Sequence, residues 1–165
     1  MEKPKPTLHF LCGKMASGKS TLSKKISLEE KAILFSEDIW LQRLYPEEIK
    51  DFEDYKKYSA RLKTILTDHI KEILLNGMSV VLDFPANIPK TRNWIREIFE
   101  SANANHLLHL INLSDEDCLQ QLHKRNLEKP EGSVFMTDEE FHMVTSYYIP
   151  PTKEENFITK EYFKN

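Results

Sequence analysis

One eight-residue stretch constrains this chain more than anything else in it. Gly13-Lys-Met-Ala-Ser-Gly18-Lys19-Ser20 follows a short apolar run at residues 7–12 and precedes a segment with Leu22 and Ile26 four apart. It matches G-x-x-x-x-G-K-[ST], the phosphate-binding loop pattern. Glycines let the backbone bend so that successive N–H groups point inward at phosphate oxygens. The helix beyond the loop presents its positive end to the same anion. Two of the chain's four glycines lie here. The expected nucleotide contacts are Gly13, Lys14, Met15, Ala16, Ser17, Gly18, Lys19, Ser20 and Thr21. Lys19 would neutralise the β and γ phosphates, and the Ser20 hydroxyl would hold Mg²⁺. The bland alternative is a glycine-containing turn with no ligand.

The rest of the pattern suits the same architecture. Short apolar runs at 7–12, 32–35, 79–84 and 106–113 read as buried strands. Helical stretches are expected at 20–27, 39–45 and 54–76, then around Trp94, after Ser114, and after the capping box Thr137-Asp-Glu-Glu140. In the long helix, Leu62, Ile65, Leu66, His69, Ile70, Ile73 and Leu74 form one apolar stripe, which makes His69 a core residue. Phe157-Ile158 suggests a short last strand. Strands alternating with helices predict an α/β fold with a mostly parallel sheet, and 165 residues suit a single domain.

Composition excludes several classes. The net charge is -3, which argues against a nucleic-acid partner. Cys12 and Cys118, the only cysteines, make neither a disulfide framework nor a zinc site. No apolar run approaches the roughly 18 residues of a membrane helix, so the expectation is a soluble, cytoplasmic protein without membrane contact.

Carboxylates just past strand ends point into the ligand crevice of an open α/β sheet. Asp38 follows the second strand and could deprotonate an acceptor hydroxyl, with Glu37 as a neighbour; its structural alternative is a helix N-cap. Asp83 ends Val80-Val81-Leu82 and would reach Mg²⁺; alternatively it bonds loop amides before Pro85. Arg125, near the end of the Ser114 helix, could stabilise charge on a moving phosphoryl group or merely complement the helix dipole. Lys129 is a second cation in the adjoining loop. Arg92 could bind acceptor or phosphate, or simply be solvated at a helix start. Trp40 is either a packing anchor or part of an acceptor pocket. The histidines show no metal-ligand spacing, and His106 and His109 should face opposite sides of a strand.

Over residues 7–150 the chain resembles small P-loop kinases of the polynucleotide-kinase, zeta-toxin and chloramphenicol-phosphotransferase type, a group of AAA-like ATP-binding proteins. The motifs that carry this are the phosphate loop, Ser36-Glu-Asp38, Val80-Val81-Leu82-Asp83 with Arg92 beyond it, and Lys124-Arg125-Asn126. The resemblance implies a three-layer, doubly wound sheet in strand order 2-3-1-4-5, with a short lid at about 126–137. It also implies Mg-dependent phosphoryl transfer from ATP, Asp38 as general base, and Arg125 and Lys129 on the ATP phosphates. Leu41 stands where polynucleotide kinases carry an arginine, leaving Arg43 as the nearest substitute on the acceptor side, and Lys129 stands where they carry a second lid arginine. From Glu37 to Asp54, seven acidic residues face Arg43 and Lys50, a local net of -5 that repels a nucleic-acid backbone. The expected acceptor is therefore a hydroxyl on a small neutral or cationic molecule. A regulatory ATPase and a polynucleotide 5′-hydroxyl kinase are the alternatives. The N-K-x-D guanine signature is absent, and the chain is too short for a full AAA+ ATPase.

Overall fold

Short, continuously apolar strands need cover on both faces, and helices on each side of one sheet provide it. The computed structural model describes residues 3–164. Strands β1 (Thr7–Cys12), β2 (Ile33–Ser36), β3 (Val80–Pro85), β4 (Asn105–Asn112) and β5 (Thr159–Phe163) lie in the order β2-β3-β1-β4-β5. Every neighbouring pair is parallel. This is the expected α/β architecture in the expected order. The helices are α1 (Lys19–Glu30), α2 (Glu37–Leu44), α3 (Phe52–Leu75), α4 (Pro89–Ser101), α5 (Asp115–Glu128) and α6 (Asp138–Thr145). No helix among the described residues is long and apolar enough to cross a membrane.

Alternation along the strands sorts the core into two faces. Leu8, Phe10, Val80, Leu82 and Leu108 pack with Leu62, Leu66, Ile70 and Leu74 of α3 and with Ile95, Ile98 and Phe99 of α4. Leu11 and Val81 meet Ile26 of α1 on the other face. His106 stacks on Phe99 at 4.3 Å, while His109 bonds His9 at 3.0 Å and Tyr162 at 2.8 Å, so the two histidines do face opposite ways.

Three local expectations need correction. Of the apolar stripe in α3 only the row Leu62, Leu66, Ile70, Leu74 is buried; Ile65 and His69 lie on its exposed flank, and His69 is not a core residue. A four-residue row on a 3.6-residue helix buries one narrow stripe, and positions three apart rotate out of it. The last strand lies at Thr159–Phe163, not at Phe157-Ile158. Phe157 instead meets the rings of Phe10 and His106 edge-on, and the Ile158 N–H donates to His106 Nε2 at 2.9 Å.

Arg92 also departs from expectation. It is fully buried, not solvated and not free to meet an acceptor. Nε donates to Glu155 at 2.8 Å, Nη2 to the same carboxylate at 3.3 Å, and Nη1 to the carbonyls of Ala86 and Ile149 at 2.9 Å each. Four of its five N–H groups are thereby committed to structure, tying the segment after α6 to the loop after β3. Arg92→Ala leaves two carbonyls and the partly buried Glu155 carboxylate unpartnered. We expect a loss of about 3 kcal/mol in urea unfolding; a loss under about 1 kcal/mol would mean that water replaces the guanidinium without penalty.

Candidate functional site

β1 pairs with β3 on one side and β4 on the other, so the loop after β1 emerges between their carboxyl ends. That loop, Gly13 to Gly18, leads directly into α1. Gly13 is packed so closely that a Cβ there would lie 2.6 Å from Ser17 Oγ and 3.2 Å from Ile111 Cβ. Asn87, in the loop after β3, clasps the same residue with its side-chain amide. Its Oδ1 accepts from the Gly13 N–H at 3.0 Å and its Nδ2 donates to the Gly13 carbonyl at 2.8 Å. Asn87 thereby holds the first residue of the cradle from both sides of its peptide.

Lys19 Nζ donates to the carbonyls of Gly13 and Lys14 at 2.7 and 2.8 Å. Burial pushes its ammonium below the usual range, against the pull of Asp83, Cys12 and Asp38. An entering phosphate would relieve that cost. Ser17 Oγ is buried without a hydrogen-bond partner among the described residues. The Lys14 side chain turns away, to the Leu113 carbonyl at 3.2 Å and Asp115 at 2.7 Å, so only its backbone faces the cradle. Met15 and Ala16 pack toward Cys118, Leu122 and Phe141, and Thr21 lies exposed on α1.

Asp83 Oδ2 accepts from Ser20 Oγ at 2.8 Å and from Ser36 Oγ at 3.3 Å. A hydroxyl and a carboxylate side by side at a strand end form a hard-oxygen pair of the kind Mg²⁺ takes, with substrate phosphates and water completing its shell. These residues fit that ion.

Asp38 is the second residue of α2, not its N-cap; Ser36 is in that position. The Asp38 carboxyl is pushed up to about 7, first by lost hydration, then by Glu37 and Asp83, while Lys19 and Arg125 pull it back. The residue is nonetheless exposed at the mouth of the cleft, where water screens these charges. Arg125 Nη2 donates to Met15 Sδ at 3.4 Å, and its buried Nε has no partner among the described residues. Burial pushes the guanidinium down and Asp38 opposes that. Lys129 ends α5 and, with Arg125 and Gln42, lines a cavity of about 330 Å³ under the loop that leads to α6.

The remaining acceptor-side candidates sit at the edge of this cluster. Trp40 is 39% exposed, with its ring 5.7 Å from Phe35. Arg43 pairs with Glu131 across the loop at 2.6 Å. Ser36 and Glu37 lie in the turn that the sequence marks, whereas Asn87 and the α3 hydroxyls that hold Glu37 belong to no motif. Glu37 is buried and accepts from Tyr55 and, at 2.7 Å, from Ser59. Burial pushes its carboxyl up, opposed by Lys63 and the two hydroxyls. Tyr55 and Ser59 stand four apart on α3, a spacing that could have flagged a shared polar face.

A phosphate cradle at the carboxyl edge of a parallel sheet in order 2-3-1-4-5 defines a P-loop protein with the kinase-like fold. The chain belongs to the AAA_33 family (AAA domain), whose sequence model matches residues 8–151. No curated protein matches the sequence. Among solved structures, a candidate kinase of Chloroflexus aurantiacus shares 17% identity over 98% of this chain and 87% of its own, with a TM-score of 0.77. Kti12 of Chaetomium thermophilum, solved with ADP-AlF3, shares 15% over 95% and 88%, with a TM-score of 0.69. The Mycobacterium tuberculosis APS kinase CysC, solved with AMPPNP and APS, shares 18% over 96% and 89%, with a TM-score of 0.56. At these identities the likeness is one of fold.

The crowded carboxylates have a measurable consequence. With a folded-state pKa of about 7 against roughly 3.9 unfolded, Asp38 keeps a proton that the unfolded chain has already released. Its penalty on stability is absent below about pH 4, grows with pH, and is complete above about 7. Asp38→Asn is expected to raise Tm more at pH 8 than at pH 5. Equal gains at both values, read by calorimetry, would show that charge is not the cause.

Proposed function

We propose that this protein transfers the γ-phosphoryl group of ATP to a hydroxyl of a small-molecule acceptor. The observation that carries the reading is the geometry at the phosphate loop: Lys19 Nζ rests on the Gly13 and Lys14 carbonyls, Ser20 Oγ donates to Asp83 at 2.8 Å, and Asp38 opens α2 just after β2 at the same edge of the sheet. In this reading, the loop N–H groups and Lys19 bind the β and γ phosphates, and Lys19 exchanges its loop carbonyls for phosphate oxygens. Ser20 and Asp83 would hold Mg²⁺, which when bound neutralises phosphate charge. Asp38 orients the acceptor hydroxyl and takes its proton as the oxygen bonds to the γ phosphorus. The bond to the bridging oxygen breaks and its electron pair leaves with ADP. Arg125 stabilises the charge spread over the transferring group, and Lys129 adds a second cation beside it.

One feature favours a small acceptor. The acidic segment from Glu37 to Asp54 repels a polyanion, against a polynucleotide end as acceptor. Trp40 and Arg43 are the acceptor-side neighbours this reading retains.

ADP release from Mg-ATP is the deciding measurement, against a panel of sugars, nucleosides, aminoglycosides, chloramphenicol and 5′-hydroxyl oligonucleotides. One acceptor should raise turnover, and Asp38→Asn should lower that rise by about 10²–10⁴-fold while ATP still binds. With the base deprotonated only above its pKa, the rate should fall as pH drops below about 7. Bound Mg²⁺ shifts that limb lower still. Slow hydrolysis indifferent to every acceptor and to Asp38 would instead favour a regulatory ATPase.

A further inference from the structure

The loop between α5 and α6 is pinned at both ends. On the α5 side, Asn126 clasps Met136, its Nδ2 donating to the carbonyl at 2.8 Å and its Oδ1 accepting from the N–H at 3.2 Å. A turn closes within the loop, where Ser133 N–H and Oγ donate to the Pro130 carbonyl at 3.0 and 2.7 Å. At its tip, Gly132 is buried against the first turn of α2. Its N–H donates to Gln42 Oε1 at 2.7 Å, and next to it Glu131 pairs with Arg43.

The seat on α2 favours glycine. Gly132 has φ +85, and a Cβ there would lie 3.0 Å from Ile39 Cγ1, 3.2 Å from Ile39 N and 3.4 Å from the Asp38 carbonyl carbon. A side chain at Ile39 could shift; the backbone of the turn that carries Asp38 could not do so without moving Asp38 itself. The loop thus rests on the peptide beside the proposed base. Its other end continues from Asn126 and Arg125, whose guanidinium lies against Met15 of the phosphate loop.

We propose that Gly132 and Gln42 are positioning residues for phosphoryl transfer: they seat the lid on α2 in the nucleotide-free protein, and so hold Arg125 over the phosphate loop in advance. This rests on the reading of Arg125 as a phosphate ligand. Pre-seating removes the need to order a long loop in each catalytic cycle.

The test has two arms, neither of which needs the acceptor to be known. In the first, amide hydrogen exchange at Gly132 is measured by NMR in the nucleotide-free protein. The wild-type amide should be protected, Gln42→Ala should speed its exchange roughly threefold to tenfold, and Gln42→Glu, which keeps an acceptor oxygen, should retain most of the protection. In the second, basal ADP release from Mg-ATP is measured for Gly132→Ala, Arg125→Ala and the double variant. Gly132→Ala should lower turnover roughly tenfold or more, leave the Kd for Mg-ADP unchanged, and add nothing further once Arg125 is removed. An unprotected Gly132 amide in the wild type, or a Gly132→Ala effect equally large with and without Arg125, overturns the proposal. Failure of the kinase reading looks different: no acceptor raises turnover while Gly132 stays protected.

Discussion

Everything at the site depends on β1 being paired in parallel with both β3 and β4. Parallel strands end at the same edge of the sheet, so the loop after β1, the carboxylate in the last half of β3 and the helix after β4 are delivered to one place. Pairing of β2 with β3 brings Ser36 level with Asp83 and adds the first turn of α2 to the same edge. No side chain chooses this convergence; the strand order does. What the side chains decide is how rigidly the converging loops are joined. Asn87 does this for the phosphate loop, holding Gly13 through both its N–H and its carbonyl. Arg92 does it one layer below, binding the Ala86 carbonyl next to Asn87 and the Ile149 carbonyl, while the Ile149 N–H returns to the Asn87 carbonyl.

The cluster at that edge works against stability. Burial and the neighbouring Asp83 carboxylate raise the pKa of both Glu37 and Asp38, and burial lowers those of Lys19 and Arg125. Such a set persists only where the surrounding fold over-determines it. Here the constraint is visible: Glu37 is held by Tyr55 and Ser59 from α3, and Asp83 by two serine hydroxyls. A triphosphate with a divalent cation would supply the missing countercharges to the cations and carboxylates alike.

The parts of this arrangement that sequence reveals are those whose chemistry is contiguous. Gly13 to Ser20 carries the geometry of its loop within eight residues, and Asp38 and Asp83 stand out as carboxylates at the carboxyl ends of apolar strands. The parts that stay hidden are closed by contacts between distant residues. Arg92 looks like a surface cation, because arginine is almost never fully buried unless paired, and its partner Glu155 lies 63 residues away. Asn87 sits in a loop without a motif, 74 residues from Gly13. His69 misleads in the opposite direction: its neighbours make an apolar stripe, but only one row of that stripe meets the sheet.

The lid shows the same division at a finer scale. Its cations are legible as a charged helix end before a polar loop, yet nothing in Pro130-Glu-Gly-Ser133 says where the loop will rest. That is decided by Gln42, 90 residues earlier, and by the bare backbone that Gly132 presents to Ile39. A side chain at Gly132 would push the lid off the turn that carries Asp38, whereas glycine lets two backbones touch. The same absence of a Cβ serves at Gly13, where the phosphate loop passes Ser17 and Ile111. Two of the four glycines therefore permit close approaches, one where Lys19 rests on the Gly13 carbonyl and one where the loop after α5 meets the first turn of α2.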